Sequence, residues 1–215
     1  MLDMDADTSE QFQGIYFVFL DRDGVINRKP AEDQTIFHWR DFDLLPGVEL
    51  AIAQLNAIRH KVMIITNQRG IALGLYSEQD LMELHQHLEA HLSLHGAYMD
   101  SISFRPHDRN VCDCRKPQPA MIQQAFDDFP GAAPANSVII GDSISDIEGG
   151  TRVGVRTIFI EGEPAFQKLG APKAARMATY TTSSLYEVVV ELLTTDRASG
   201  QAASQSNGSK VTASL

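Results

Sequence analysis

Two acidic side chains lie two residues apart near the start of the chain, directly after an apolar run. The segment FLDRDGVIN contains Asp21 and Asp23, which are followed by Gly24. A carboxylate can act as a nucleophile or as a general acid–base, and paired carboxylates bind hard cations. Two acids after a strand can equally form a solvated turn, so the other polar segments decide between these interpretations.

A second acidic segment, GDSISDIEGG, follows another apolar run. It contains Asp142 and, one helical turn later, Asp146, which by itself fits the ordinary preference of helix starts for acidic residues. If Asp21, Asp23 and Asp142 converge, their charges repel unless a cation lies among them. Oxygen ligands favour Mg²⁺, so these three residues are predicted to form a magnesium site.

Two further segments supply groups that hold phosphate. TNQRG offers the Thr66 hydroxyl, the Asn67 amide and backbone N–H groups, and CRKPQPAM offers Lys116 before a proline. A fixed ammonium would neutralise charge on a nucleophile and on a phosphoryl group in transfer. Taken singly, the first segment is an ordinary turn and a lone lysine is usually solvated, so each assignment depends on the others.

Apolar strands alternate with amphipathic helices along most of the chain, which predicts an α/β fold. We expect a three-layer, Rossmann-like parallel sheet with helices on both faces. The predicted strands are 15–20, 61–66, 99–104, 137–142, 156–161 and 178–182, and the predicted helices start at Pro46-Gly47 and after Ser77, then span 117–129, 144–152 and 184–193. The carboxyl ends of parallel strands meet at one edge of the sheet, which would bring the polar segments together.

The composition is that of an ordinary globular protein, with 43% hydrophobic residues in a chain of 215. We expect one domain over residues 14–194, a disordered lead-in over 1–13 and a disordered tail over 195–215. The formal net charge of −10 argues against binding nucleic acid or an anionic membrane. The polar, acidic N-terminal segment lacks the pattern of a secretory signal, so we expect a cytoplasmic protein, and we expect a monomer.

The four polar segments, in this order, resemble the four motifs of the haloacid dehalogenase superfamily of phosphatases. These motifs are Asp-x-Asp at 21–23, Thr66, Lys116 and Gly-Asp-x-x-x-Asp at 141–146. The finer matches, DRDGVIN, TNQRGIALG and CDCRKP, are similar to the D-glycero-D-manno-heptose 1,7-bisphosphate 7-phosphatases and the related histidinol-phosphatases. The resemblance covers about residues 15–193.

The resemblance implies a magnesium-dependent phosphomonoester hydrolase that acts through an aspartyl-phosphate on Asp21. Asp23 would be the acid–base, and Asp21, the backbone carbonyl of Asp23 and Asp142 would hold Mg²⁺. Thr66 and Lys116 would hold phosphate oxygens. The expected contacts with the substrate, a small sugar phosphate, are Asn67, Gln68, Arg69 and Arg115.

The short spacing between the first two motifs predicts a capless enzyme, whose substrate is selected by the loops at 27–45 and 105–115. Related enzymes carry a structural zinc in the second loop. Here His107, Cys112 and Cys114 match three ligand positions, but Arg105 replaces the first cysteine, so zinc is doubtful unless an acid or water completes the shell. A Cys112–Cys114 disulfide is not expected, because it would close a very small loop.

The favoured substrate is a heptose 1,7-bisphosphate, which would lose its 7-phosphate in making precursors of lipopolysaccharide or other surface glycans. Histidinol phosphate is the alternative, and so is a catalytically inactive relative that binds phosphate ligands. The long helix also carries His85, His87, His91 and His95, some of them four residues apart. This spacing could bind a metal, but the polar face of an amphipathic helix is the simpler interpretation.

Overall fold

The computed structural model describes residues 10–30, 34–109, 111–163, 167 and 169–193. Most of the predicted lead-in and the whole predicted tail lie outside the described residues. Within the expected lead-in, however, Phe12 is only 2% exposed and packs in the main core beside Tyr180. The core thus includes an aromatic ring from within the segment that was expected to be the lead-in.

In the residues that the structure describes, six parallel strands form one open sheet, which confirms the predicted fold class. The strands are β1 (Phe17–Leu20), β2 (Lys61–Asn67), β3 (Ser101–Arg105), β4 (Ser137–Gly141), β5 (Arg156–Ile160) and β6 (Tyr180–Thr182). Their spatial order is β3-β2-β1-β4-β5-β6. The central strands β1 and β4 are buried throughout, as expected for apolar runs that are covered on both faces.

The described part of the chain contains seven α-helices with assigned bounds, six of them between strands and one after β6. They are α1 (Val48–Ala57), α2 (Arg69–Ala72), α3 (Glu78–Leu94), α4 (Ala120–Asp128), α5 (Ile144–Arg152), α6 (Ala171–Met177) and α7 (Leu185–Val188). The start of α3 confirms the predicted cap: the Ser77 hydroxyl accepts from the backbone N–H of Asp80, whose carboxylate accepts from the Ser77 N–H.

The helices cover both faces of the sheet, so the chain has three layers. On one face, Val18 and Leu20 pack with side chains of α1, α3 and α7. On the other face, Phe17 and Phe19 pack against α4, while α5 and α6 enclose Phe159. Alternate residues of a strand point to opposite faces, so β1 contributes to both cores.

Two predicted helices differ in detail. The helix expected from Pro117 begins only at Ala120, because Pro119 disfavours the helical conformation at Gln118. The last predicted helix is regular only over α7 and continues as wider π-type turns over Val189–Leu193.

The strand register places the polar segments together. Leu20, the last residue of β1, pairs with Ile64 of β2 and with Ile140 of β4. β4 ends one residue beyond this level, at Gly141, and β2 ends three residues beyond it, at Asn67, so the carboxyl ends lie at the same edge of the sheet. Between β1 and α1, the described residues contain a single 3₁₀ turn, Trp39–Asp41, which agrees with a capless enzyme. No helix within the described ranges is long and apolar enough to cross a membrane.

The buried face of α3 should contribute much of the stability, which Leu88→Ala tests. Leu88 is 0% exposed, so its truncation should lower the free energy of unfolding by about 2–5 kcal/mol. Leu94→Ala, on the same helix, is the matched control. Leu94 is 84% exposed, and its truncation should change stability by less than about 0.5 kcal/mol in urea denaturation. Equal losses would contradict the assigned faces.

Candidate active site

A buried ammonium links the carboxylates at the carboxyl edge of the sheet. Lys116 Nζ lies 2.9 Å from Asp21 Oδ1 and 2.6 Å from Asp146 Oδ1, and it donates to the Ile65 carbonyl at 2.6 Å. Its side chain is 1% exposed. Burial alone would lower the pKa of Lys116, but the adjacent Asp146 and Asp21 carboxylates outweigh this effect and raise it. Lys116 is therefore held as a cation.

Three carboxylates form a site that fits a divalent cation. Asp21, Asp142 and Asp146 each offer one oxygen, and these oxygens lie within 4.8 Å of one another. Burial and the charge of Asp146 raise the pKa of Asp21 to about 7, although Lys116 opposes the shift. A hard cation among these oxygens would relieve the repulsion, so the donor set suits Mg²⁺. In this arrangement Lys29 forms an ion pair with Asp142.

Asp23 is held by a separate network on the other side of Arg22. Its carboxylate accepts from Arg22 Nη2 at 2.9 Å, from Asn27 Nδ2 at 3.0 Å and from Gln68 Nε2 at 3.2 Å. Burial would raise the pKa of Asp23, but the charge of Arg22 and these hydrogen bonds lower it. Asp23 is therefore an ionised carboxylate with a fixed orientation.

Two residues predicted to contact substrate instead face protein groups. Gln68 is 3% exposed: its amide nitrogen also donates to Thr66 Oγ1 at 2.9 Å, and its carbonyl accepts from Tyr76 Oη at 2.6 Å. Asn67 accepts from the Lys116 N–H and donates to the Lys116 carbonyl, both at 3.0 Å. In this structure Gln68 positions Asp23, and Asn67 positions the lysine loop.

The other two predicted substrate contacts lie in a basic group at the edge of the site. Arg69 pairs with Asp108, and Arg115 donates to the His107 carbonyl at 3.2 Å. Partial burial and the charges of Arg109 and Arg69 lower the pKa of Arg115. Three arginines therefore lie near one another here, with the Asp108 carboxylate among them.

The predicted zinc ligands converge, but the two sulfurs are joined. Cys112 and Cys114 form a disulfide with a Cα–Cα distance of 5.4 Å, contrary to the sequence-based expectation. A distance of 5.4 Å lies within the usual range for a disulfide, which spacing along the chain alone did not show. His107 Nδ1 lies 3.0 Å from Cys114 Sγ. Zinc binds thiolates, so this bonded form of the loop does not offer two sulfur ligands.

The cations of the 27–45 loop, one of the two loops expected to select the substrate, have different surroundings. Arg28 pairs with Asp43 and Glu163 on the surface, and Arg40 is exposed next to Asp41. Lys29 alone turns inward, to Asp142, and it borders a cavity of about 510 Å³. This volume is in the range of small-ligand sites.

Comparisons with known proteins agree with this geometry. Residues 113–187 match the HAD-hydrolase-like family model. A D-glycero-alpha-D-manno-heptose-1,7-bisphosphate 7-phosphatase of Mycobacterium tuberculosis is 36% identical over 174 residues, which are 80% of this chain and 89% of that protein. The chain belongs to the haloacid dehalogenase-like phosphatases.

Two further relatives support the assignment. A D-glycero-beta-D-manno-heptose-1,7-bisphosphate 7-phosphatase of Rhodopseudomonas palustris is 39% identical over 153 residues, covering 67% of this chain and 83% of that protein. The crystal structure of the D,D-heptose 1,7-bisphosphate phosphatase from B. bronchiseptica, complexed with magnesium and phosphate, superposes with a TM-score of 0.71. It is 27% identical and covers 83% of this chain and 98% of that one.

Sequence reasoning missed four residues that hold the site together. Arg22 and Asn27 orient Asp23, Lys29 pairs with Asp142, and Asp146 shares Lys116 with Asp21. The Gly-Asp-x-x-x-Asp motif does indicate a role for Asp146, but an acidic residue is also common at the start of any helix. Nothing in the sequence indicates a role for Arg22, because a charged residue at the end of a strand usually points to solvent.

Gly24 should be essential because its backbone approaches Asp142. Its φ is +97°, and a methyl group at this position would collide with the Asp142 carboxylate. Gly24→Ala should displace Asp142 and lower Mg²⁺-dependent phosphate release from a generic ester by at least about a hundredfold.

Gly131→Ala is the matched control for this prediction. Gly131 has a φ of +91° and no atom within 4 Å of the added methyl, so it carries the backbone strain without the collision. Both variants should lose stability to strain, about 1–2 kcal/mol, but Gly131→Ala should retain activity. Equal losses of activity would show that strain, and not the displacement of Asp142, is responsible.

Proposed function

We propose that this chain is a magnesium-dependent phosphomonoester hydrolase that removes the 7-phosphate of a D-glycero-D-manno-heptose 1,7-bisphosphate. The observation that carries the proposal is the Lys116 ammonium, which touches Asp21 and Asp146 while Asp23 is held separately by Arg22. One carboxylate is thus placed beside a fixed cation for attack, and another is oriented for proton transfer.

In the proposed reaction, Asp21 attacks phosphorus and the bond to the sugar oxygen breaks. The leaving oxygen takes a proton from Asp23, and an aspartyl-phosphate forms on Asp21. Asp23 then accepts a proton from water, which attacks phosphorus and releases phosphate and free Asp21. Mg²⁺, held by Asp21, the Asp23 carbonyl and Asp142, would shield charge and orient the phosphoryl group.

Asp23 must be protonated before it can act as an acid, although its pKa is low in the ligand-free site. A phosphate group brings negative charge next to this carboxylate, and nearby like charge raises a carboxylate pKa. We infer that substrate binding itself raises the pKa of Asp23, so that this carboxylate takes up a proton. Arg22 and Asn27 keep the carboxylate oriented during both transfers.

The choice of substrate rests on the cations around the site and on the names of the relatives. A bisphosphate has a second anionic group, which the Arg69, Arg109 and Arg115 cluster can bind. The cavity beside Lys29 has room for a sugar. Reaction in the cytoplasm by a monomer stays a prediction, and zinc has no part in the proposed steps.

Asp21→Asn tests the mechanism. It removes the nucleophile with little change of volume, so phosphate release should fall by at least roughly a thousandfold. Asp127→Asn, an exposed site on α4, is the control and should retain full activity. Substantial turnover by Asp21→Asn would refute the aspartyl-phosphate route. No turnover by the unaltered chain with Mg²⁺ would favour an inactive phosphate-binding relative.

A substrate panel combined with Arg115→Ala tests the substrate. The unaltered chain should show a higher kcat/KM for heptose 1,7-bisphosphate, assayed as both anomers, than for histidinol phosphate. Arg115→Ala should raise KM for the bisphosphate about tenfold, as expected for loss of one charged contact, and leave that for a generic monophosphate nearly unchanged.

Arg176→Ala, at an exposed arginine of α6, is the control for loss of one surface charge. It should leave both KM values unchanged. A preference for histidinol phosphate, or equal effects of Arg115→Ala on both esters, would reject the proposed specificity while leaving the phosphatase chemistry intact.

A further inference from the structure

A second group of metal-ligating side chains lies outside the catalytic site, between α1 and α3. Glu49, His91 and His95 each offer one ligand atom, and the three atoms lie within 4.8 Å of one another. We call this group the Glu49 cluster. It differs from the aspartate site in its chemistry, since two of its three members are imidazoles.

Two different helices build the cluster. His91 and His95 are four residues apart in the last turn of α3 and its C-cap, so they lie on the same face of that helix. Glu49, in the first turn of α1, reaches this face, and its Oε1 lies 3.1 Å from His91 Nε2. The pair is partly sheltered, with 29% of His91 and 22% of Glu49 exposed.

A backbone contact orients the second imidazole. His95 Nδ1 lies 3.0 Å from the His91 carbonyl oxygen. A carbonyl only accepts, so Nδ1 must carry the hydrogen, and in the neutral ring Nε2 then keeps its lone pair. Metal-binding histidines commonly donate their other N–H to a carbonyl in this way, which fixes the ring and its tautomer.

The third ligand is available as an anion. A glutamate side chain is ordinarily ionised at neutral pH, and Glu49 Oε1 already faces His91 Nε2 at 3.1 Å. Two neutral imidazoles and one carboxylate are a donor set that suits Zn²⁺, Ni²⁺ and Cu²⁺, whereas Mg²⁺ prefers oxygen alone.

We propose that Glu49, His91 and His95 form a binding site for a divalent transition metal of the Zn²⁺ class, separate from the magnesium site. Three protein ligands leave one position of a tetrahedral ion for water. The ion would tie the start of α1 to the end of α3 on one face of the sheet. Because the unfolded chain lacks this geometry, the ion would stabilise the folded state.

Trp39 makes this site directly measurable. Its ring lies 5.5 Å from the His91 ring, and it is the single tryptophan of the chain. Ni²⁺ or Cu²⁺ bound to His91 would quench Trp39 fluorescence, whereas a closed-shell ion such as Zn²⁺ would not. Metal bound far from Trp39 would be reported weakly or not at all, and the nearby His87 is tested separately by substitution.

The test is a Ni²⁺ titration of the full chain after chelator treatment, followed by tryptophan fluorescence. We expect saturable quenching by one ion and recovery of the fluorescence when Zn²⁺ is added in excess. His95→Ala and Glu49→Gln should each weaken Ni²⁺ binding at least about tenfold, since each removes a ligand. Excess Zn²⁺ should also raise the thermal midpoint of the unaltered chain more than that of either variant.

His87→Ala is the matched control, because His87 lies on the same helix and its ring is 6.0 Å from Trp39, but it is outside the cluster. It should bind Ni²⁺ within about twofold of the unaltered chain, a difference of well under 1 kcal/mol. Quenching that does not saturate, or that excess Zn²⁺ does not reverse, would overturn the proposal. So would equal Ni²⁺ affinity in the unaltered chain and both ligand variants, or a loss of Ni²⁺ affinity in His87→Ala as large as in those variants.

Two readouts keep this test independent of folding and of the proposed function. Circular dichroism without metal must show that each variant is folded, and two different ligand variants guard against the failure of one. Mg²⁺-dependent phosphatase activity should persist in His95→Ala. Loss of activity in Asp21→Asn concerns the other site alone.

Discussion

The buried Lys116 ammonium is the interaction on which the rest of the site depends. It touches Asp21 and Asp146 and is 1% exposed. Burying an unpaired charge away from water destabilises the folded state by several kcal/mol, on the order of a large mutational effect. Without this cation, the carboxylates at the edge of the sheet would repel one another, and some of them would take up protons. The pKa of Asp21, raised to about 7 even with Lys116 in place, shows how closely balanced the arrangement is.

The fold brings the lysine and the carboxylates together, because it places segments that are distant in the sequence at the same edge of the sheet. Lys116 lies in the loop between β3 and α4, and Asn67, at the end of β2, pairs with both backbone groups of the lysine. The lysine is therefore aimed by a neighbouring strand and not only by its own loop. Gly24 and Gly141 allow the carboxylates of Asp142 and Asp146 to approach the backbone closely. Lys116, Asp142 and Asp146 thus lie against main-chain atoms, whereas Asp23 is held by side chains.

Two aspartates two residues apart have opposite surroundings. Asp21 lies among like charges, and its pKa is raised, while Asp23 lies against Arg22, and its pKa is lowered. Environments that separate two carboxylates in this way allow them to take different roles in one reaction. The same principle distinguishes the two metal-ligand groups, since the aspartate site presents only oxygens and the Glu49 cluster presents mainly imidazole nitrogen. The two proposed sites would therefore suit ions of different hardness.

The sequence by itself determined the fold class, because apolar strands alternating with amphipathic helices have few other solutions. It also indicated that Asp21 and Asp142 would lie close together, since parallel strands end at one edge. Only the tertiary structure decided what each polar group faces. Gln68 and Asn67 turn to protein partners, Arg22 turns inward, and the sulfurs of Cys112 and Cys114 are joined. These outcomes depend on contacts between segments far apart in the chain, such as Glu49 with His91, which spacing along one helix cannot specify.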